Sequence, residues 1–180
     1  VPFLSGFHDQ IPIMPACKFT TKRVLLVLVG VLPVIALLYF LFGDAVANDL
    51  RLWQITRQLN TLPQPPGTTQ ISTHAVVGLL VGNGNHCDFF AGAVYRSQSS
   101  IEAIQQHYEG RQFQNPVTGM NENWQITILK NKDSFDSLWL PYDFDHPEAW
   151  ELTPESYSNG TLFLIHAMRS YNANGDFRCH

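Results

Sequence analysis

Apolar positions run unbroken from residue 24 to residue 42, VLLVLVGVLPVIALLYFLF, nineteen positions without a charge. As a helix rising about 1.5 Å per residue, this stretch measures about 28 Å, close to the hydrocarbon thickness of a bilayer. Past it the pattern becomes amphipathic. Leu52, Ile55, Leu59 and Leu62 recur at spacings of three, four and three, with Arg51, Gln54, Arg57 and Gln58 between them. That periodicity predicts a stalk helix over residues 44–62. Pro63, Pro65, Pro66 and Gly67 end it in a short stiff connector.

Beyond the connector the period shortens. Residues 70–81 contain HAVVGLLV, a largely apolar strand, and residues 87–95 read as a second one. Between them Gly82-Asn83-Gly84-Asn85 tolerates positive φ, so the two strands are expected to form a hairpin with Gly82 and Gly84 as turn glycines. Ser99-Ser100-Ile101-Glu102 has the spacing of a capping box, and the helix it opens buries Ile101, Ile104 and Tyr108 and stops at Gly110. WQITIL at 124–129 alternates as a half-buried strand does, and residues 133–138 have room for one or two helical turns. Residues 141–154 are acidic and bounded by proline, and so irregular. Asn159-Gly160 turns the chain into TLFLIHAM, a strand over 161–168, and a turn at 172–175 leads to a short terminal strand carrying Cys179. The order predicts an α+β domain over residues 68–180, an antiparallel or mixed sheet with one or two helices packed on it.

Charge orients the chain. Lys18, Lys22 and Arg23 precede the apolar run, and Asp44 and Asp49 follow it. By the positive-inside rule residues 1–23 form a cytoplasmic tail, residues 24–42 span the inner or plasma membrane, and the domain is periplasmic or extracellular. The competing reading is a signal peptide: Ala45-Val46-Ala47 is a small-residue cleavage triplet, and cutting after Ala47 would give a secreted domain. The run exceeds the roughly 7–15 apolar residues of a signal peptide, which favours an anchor. A start at Met14 would give the compact basic segment MPACKFTTKR and leave residues 1–13 outside the native chain.

Composition narrows the partners. Of 180 residues, 45% are hydrophobic and 12% aromatic, values of a packed domain. From residue 44 onward fourteen acids face eight Lys or Arg, a net of −6 that disfavours nucleic acid and anionic headgroups. The four Trp and twelve Phe require a core, a protein partner surface, or both. The membrane also divides the three cysteines. Cys17 falls inside, and Cys87 and Cys179 fall on the oxidising side, where a Cys87–Cys179 disulfide is expected.

Candidate chemistry centres on His86-Cys87-Asp88 and the terminal Cys179-His180. A zinc site on His86, Cys87, Cys179 and His180 lacks the usual ligand spacing, and adjacent strand residues point to opposite faces, so the disulfide is preferred. His86 and Asp88 in the glycine-rich hairpin are the candidate catalytic pair of an exported hydrolase, the alternative to a binding role. No G-x-S-x-G elbow accompanies them. Asp143, Asp145, His146, Glu148 and Glu151 fail the EF-hand pattern and read as a solvated acidic loop. His74, His107 and His166 lie inside elements, His166 as a sheet-face residue. Gly82-x-Gly84 is too short for a phosphate loop, so no cofactor is expected. Asn159-Gly-Thr161 matches the N-glycosylation sequon.

The segment GNGNHCDFFAG, followed by a strand and an S-x-x-E helix, resembles bacterial membrane-anchored proteins, cyanobacterial ones included, that carry no assigned activity. The resemblance covers residues 76–110 and implies a small exported domain. An apolar helix running into an amphipathic one beneath a sheet is also similar to type IV pilins and pseudopilins. The chain departs from them at the leader, since Lys22 and Arg23 precede the run and no glutamate lies in it. The resulting expectation is a non-enzymatic single-pass protein whose exported domain binds a protein partner, as an accessory subunit of an envelope or membrane complex.

Overall fold

The computed structural model describes residues 21–82, 84–131, 133–136, 138, 140, 147–172 and 175–180. Two compact units divide the chain, Val1–Leu38 and Tyr39–His180. In the first unit the described residues belong to helix α1 (Thr21–Asn60), which carries Pro33 and continues into the second unit. Its apolar residues are exposed, Leu26 at 73% and Val29 at 64% among them. With a mean hydropathy of 2.9 in its most apolar window, α1 is long and apolar enough to cross a membrane, by length and composition.

The second unit is an α+β domain built on an antiparallel four-stranded sheet. β1 (Thr68–Gly78), β2 (His86–Ser97), β5 (Gln125–Leu129) and β6 (Thr161–Asn172) stand in the order β1-β2-β6-β5. β1 and β2 form the expected hairpin, paired from Thr68↔Ser97 to Gly78↔Asp88. The long central strand β2 alternates between two buried faces. Cys87, Phe89, Ala91, Ala93 and Tyr95 point into one core with Phe163 and Ile165 of β6. Phe90 and Val94 point into the other with Leu162, Leu164 and Trp150. A strand covered on both faces needs near-continuous apolar character, which HCDFFAGAVY supplies.

The first face is covered by the end of α1 and by α2 (Ile101–Tyr108). Ile55 and Leu59 of α1 are 2% and 0% exposed, and Ile104 and Tyr108 of α2 are equally buried. The compact unit spans Tyr39–His180, and within it Ile55 and Leu59 join the core while Leu52 and Leu62 pack against it half-buried. The second face is covered by the chain between β5 and β6. That stretch includes α3 (Asp133–Asp136) and 3-10 turns at Pro147–Trp150 and Pro154–Tyr157.

Several local expectations shift. The N-cap of α2 is Ser100, one residue later than the capping box at Ser99 implies, with its hydroxyl accepting from the Ala103 amide at 3.3 Å. A small hairpin, β3 (Gln112–Gln114) with β4 (Asn121–Asn123), appears where no strand is expected. Its residues QFQ and NEN bury Phe113 alone, too little pattern for a strand signal. Cys179 sits in a 3-10 turn, Phe177–Cys179, rather than on a terminal strand. Asp143, Asp145 and His146 of the acidic loop lie outside the described residues.

Candidate functional site

The hairpin end of β1 and β2 holds the first group of candidates. Asp88 is wholly buried, and its Oδ2 accepts the amides of Leu80 and Val81 at 2.9 and 3.0 Å. Its Oδ1 accepts the Ser170 hydroxyl from β6. The carboxylate thus fastens the incoming limb of the turn and ties it to the neighbouring strand. His86 Nε2 lies 2.9 Å from the Val81 carbonyl and 3.3 Å from Asp88 Oδ2. Only a protonated nitrogen can bond a carbonyl oxygen, so Nε2 is the nitrogen that donates to Val81. The imidazole lies over Gly84, where an added Cβ would come 2.5 Å from Nδ1. Gly84 thus lets the ring lie this close to the backbone, and Gly82 adopts a φ of +76° that favours glycine.

Cys87, beside this group, bonds to Cys179 across 92 positions with a Cα–Cα distance of 4.8 Å. The bridge is the centre of a second group that sequence reading missed. Asn48 of α1, 3% exposed, donates to Asp176 Oδ2 at 2.9 Å and to Cys87 Sγ at 3.3 Å. Arg178 Nε and Nη2 bond the two Asp176 oxygens at 3.0 and 2.8 Å. The same guanidinium reaches Asp49 Oδ1 at 2.7 Å and the Ala45 carbonyl at 3.0 Å. Arg178 holds the Asp176 carboxyl at about 2, well below the usual range, and the pairing raises the Arg178 pKa in return. The Arg178 carbonyl accepts the Leu79 amide at 2.9 Å, which joins the C-terminal turn to the same hairpin end.

This latch fixes the C-terminus to α1 a few residues past the apolar run. Its only advance signal is the pair of polar positions Asn48 and Asp49 on a helix expected to be amphipathic, and nothing in sequence points from them to Asp176 and Arg178. Among the described residues, the ligand-type atoms gathered within 4.8 Å are those of Cys87, Asp176 and Cys179, without His86 or His180. Both sulfurs are committed to the bridge, and His180 is exposed at the chain end.

His166 is buried on the second face of the sheet, in a cross-strand row with Gly92 and His74. Gly92 leaves room there, since an added Cβ would meet Phe90 at 2.9 Å and Trp150 at 3.0 Å. His166 Nδ1 has no hydrogen-bond partner among the described residues, and burial pulls the imidazole down to about 4. A neutral, enclosed imidazole of this kind packs the core, in keeping with a sheet-face role. An open groove of about 560 Å³ lies elsewhere, between α2 and the stretch of chain where β4 passes into β5, lined by Glu102, Glu109, Arg111, Asn123 and Trp124. It contains none of the expected site residues. Comparison of the chain with protein-family models, with curated proteins and with solved structures found no match.

Proposed function

We propose that the chain is a single-pass membrane protein, N-terminus cytoplasmic, whose Tyr39–His180 domain lies outside and serves as a binding element of a membrane or envelope complex. The observation that supports this most is the latch. The conspicuous polar and sulfur chemistry of the domain is spent on fastening its C-terminus to the helix just beyond the apolar run. Such fastening ties the end of the domain to residues 45–49 of its own compact unit, a rigidity that suits a partner-binding subunit. Exposed Tyr39 and Phe40 at the outer end of the run fit the aromatic belt of a membrane interface. Docking of Ala45 against Arg178 favours retention of the helix over cleavage after Ala47. Affinity purification of the full chain in mild detergent is expected to recover a second protein in fixed ratio. Recovery of this chain alone counts against the role.

The hydrolase alternative has one observation in its favour, the His86–Asp88 contact at 3.3 Å with the imidazole partly exposed. Its Nδ1 lone pair would serve as the base, acting on water, since Cys87 is bonded to Cys179. An activity of the purified chain that survives His86→Gln removes that reading.

A further inference from the structure

Within the Tyr39–His180 unit, α1 carries apolar residues on two opposite sides. Ile55 and Leu59 are buried against the sheet, with Asn48 beside them. Val46, Leu50 and Trp53 are 56%, 57% and 55% exposed. With Arg57 they follow spacings of four, three and four. At about 100° per residue these four positions share an arc of about 60°, and the buried residues lie about 180° away from it.

Lipid does not account for the stripe. Phe42 ends the uncharged run, so Leu50 and Trp53 lie about 12 and 16 Å farther along the helix. The headgroup zone of one leaflet is only about 5–8 Å deep. The 4-3-4 spacing is instead that of a coiled-coil seam, with Val46 and Trp53 at d positions and Leu50 and Arg57 at a positions. Positions flanking the seam are Ala47, Asp49, Gln54 and Thr56. In a parallel pair of copies Asp49 would face Gln54 of the other copy, and Asp49 is already paired with Arg178 at 2.7 Å. No like charges meet along the flank. Arg57, at the a position that ends the stripe, faces its counterpart in the second copy and brings like charges together there; it lies over its own Trp53 at 5.4 Å from the ring centre, so the apolar contact is confined to Val46, Leu50 and Trp53.

We propose that this face is the seam of a parallel homodimer, two copies of the chain meeting along Val46, Leu50 and Trp53 just outside the membrane. The inference rests on the reading that α1 is retained as an anchor, because a common membrane holds both copies parallel and raises their effective concentration.

The test is thiol cross-linking of the full chain in phosphatidylcholine vesicles at a low protein-to-lipid ratio, in a Cys17→Ser background. Leu50→Cys, oxidised with copper-phenanthroline, is expected to give a covalent dimer, and Gln105→Cys, exposed on α2, is not. Adding Val46→Glu and Trp53→Glu to Leu50→Cys is expected to reduce the dimer to the Gln105→Cys level. Those side chains are exposed, so the domain should keep its native bridge, checked by intact mass. Equal cross-linking of Leu50→Cys and Gln105→Cys, or a dimer indifferent to the two glutamates, overturns the proposal. The same mass shows whether Val46 is still present. A cleaved chain fails the anchor reading, and a retained but monomeric chain fails only the dimer.

Discussion

Arg178 Nη1 lies 2.7 Å from Asp49 Oδ1, a contact between positions 129 apart that ties the last turn of the chain to the helix leaving the apolar run. The same guanidinium neutralises Asp176, which is wholly buried. Neither partner is dispensable on physical grounds: without Arg178 a carboxylate remains in the interior with Asn48, among the described residues, as its remaining side-chain donor. Arg178→Ala is expected to cost about 2–3 kcal/mol, at the low end for a buried pair because Arg178 is partly exposed. Asp49→Ala, at the exposed end of the network, should cost well under about 1 kcal/mol. Urea unfolding of the full chain in detergent, followed by tryptophan fluorescence, separates the two. Equal and small effects would show that the latch carries no stability.

The latch also marks where sequence reasoning stops. The bridge was legible because the orientation expected from charge sets Cys17 apart and leaves Cys87 and Cys179 to pair with each other. The sheet was legible because β2 and β6 are apolar runs bounded by Gly and Asn, and the HAVV run of β1 is bounded the same way. Asn48, Asp176 and Arg178 carry no such pattern. Each is an ordinary polar residue whose role exists only once the hairpin and α1 are packed together. The S-x-x-E spacing points to Ser99 as the cap of α2, whereas the hydroxyl that reaches a free helix amide is that of Ser100. Periodicity over residues 44–62 identifies an apolar face without saying what it meets.

Opening the bridge should matter more than removing any single hydrogen bond. A cross-link across 92 positions lowers the unfolded chain's entropy by an amount worth about 4–5 kcal/mol. Cys87→Ala with Cys179→Ala is expected to lower the urea midpoint markedly, and reductant should reproduce the shift in the unsubstituted chain. Identical intact masses with and without reductant would show that no bridge forms.

His166 gives the fold an acid sensitivity. Its imidazole is pulled from 6.5 down to about 4 by burial first and by Arg169 second. The unfolded chain therefore binds a proton that the folded one refuses between those values, so stability is full above pH 6.5 and falls as pH drops toward 4. The difference amounts to something on the order of 3 kcal/mol. His166→Leu should flatten that part of the profile. Thermal melts from pH 7 to pH 4 check it, and a parallel decline in both proteins would remove His166 as the cause.

Gly92 should tolerate no side chain. A methyl there meets Phe90 and Trp150 rings and the His166 Cβ at once, all within 3.2 Å. Gly92→Ala is expected to cost about 1–3 kcal/mol and to change the near-ultraviolet circular dichroism of Trp150. Gly30→Ala, with open space around it, serves as the neutral comparison.

The account depends above all on which side of the membrane the domain occupies. Alkaline phosphatase, which is active only where disulfides form, can be fused after the exposed His180 of the full chain in a bacterial host. High phosphatase activity in intact cells, lost when the fusion is made after Arg23 instead, is the predicted result. An inactive fusion after His180 that accumulates in the cytosol would contradict the anchor's orientation, the bridge and the proposed role together.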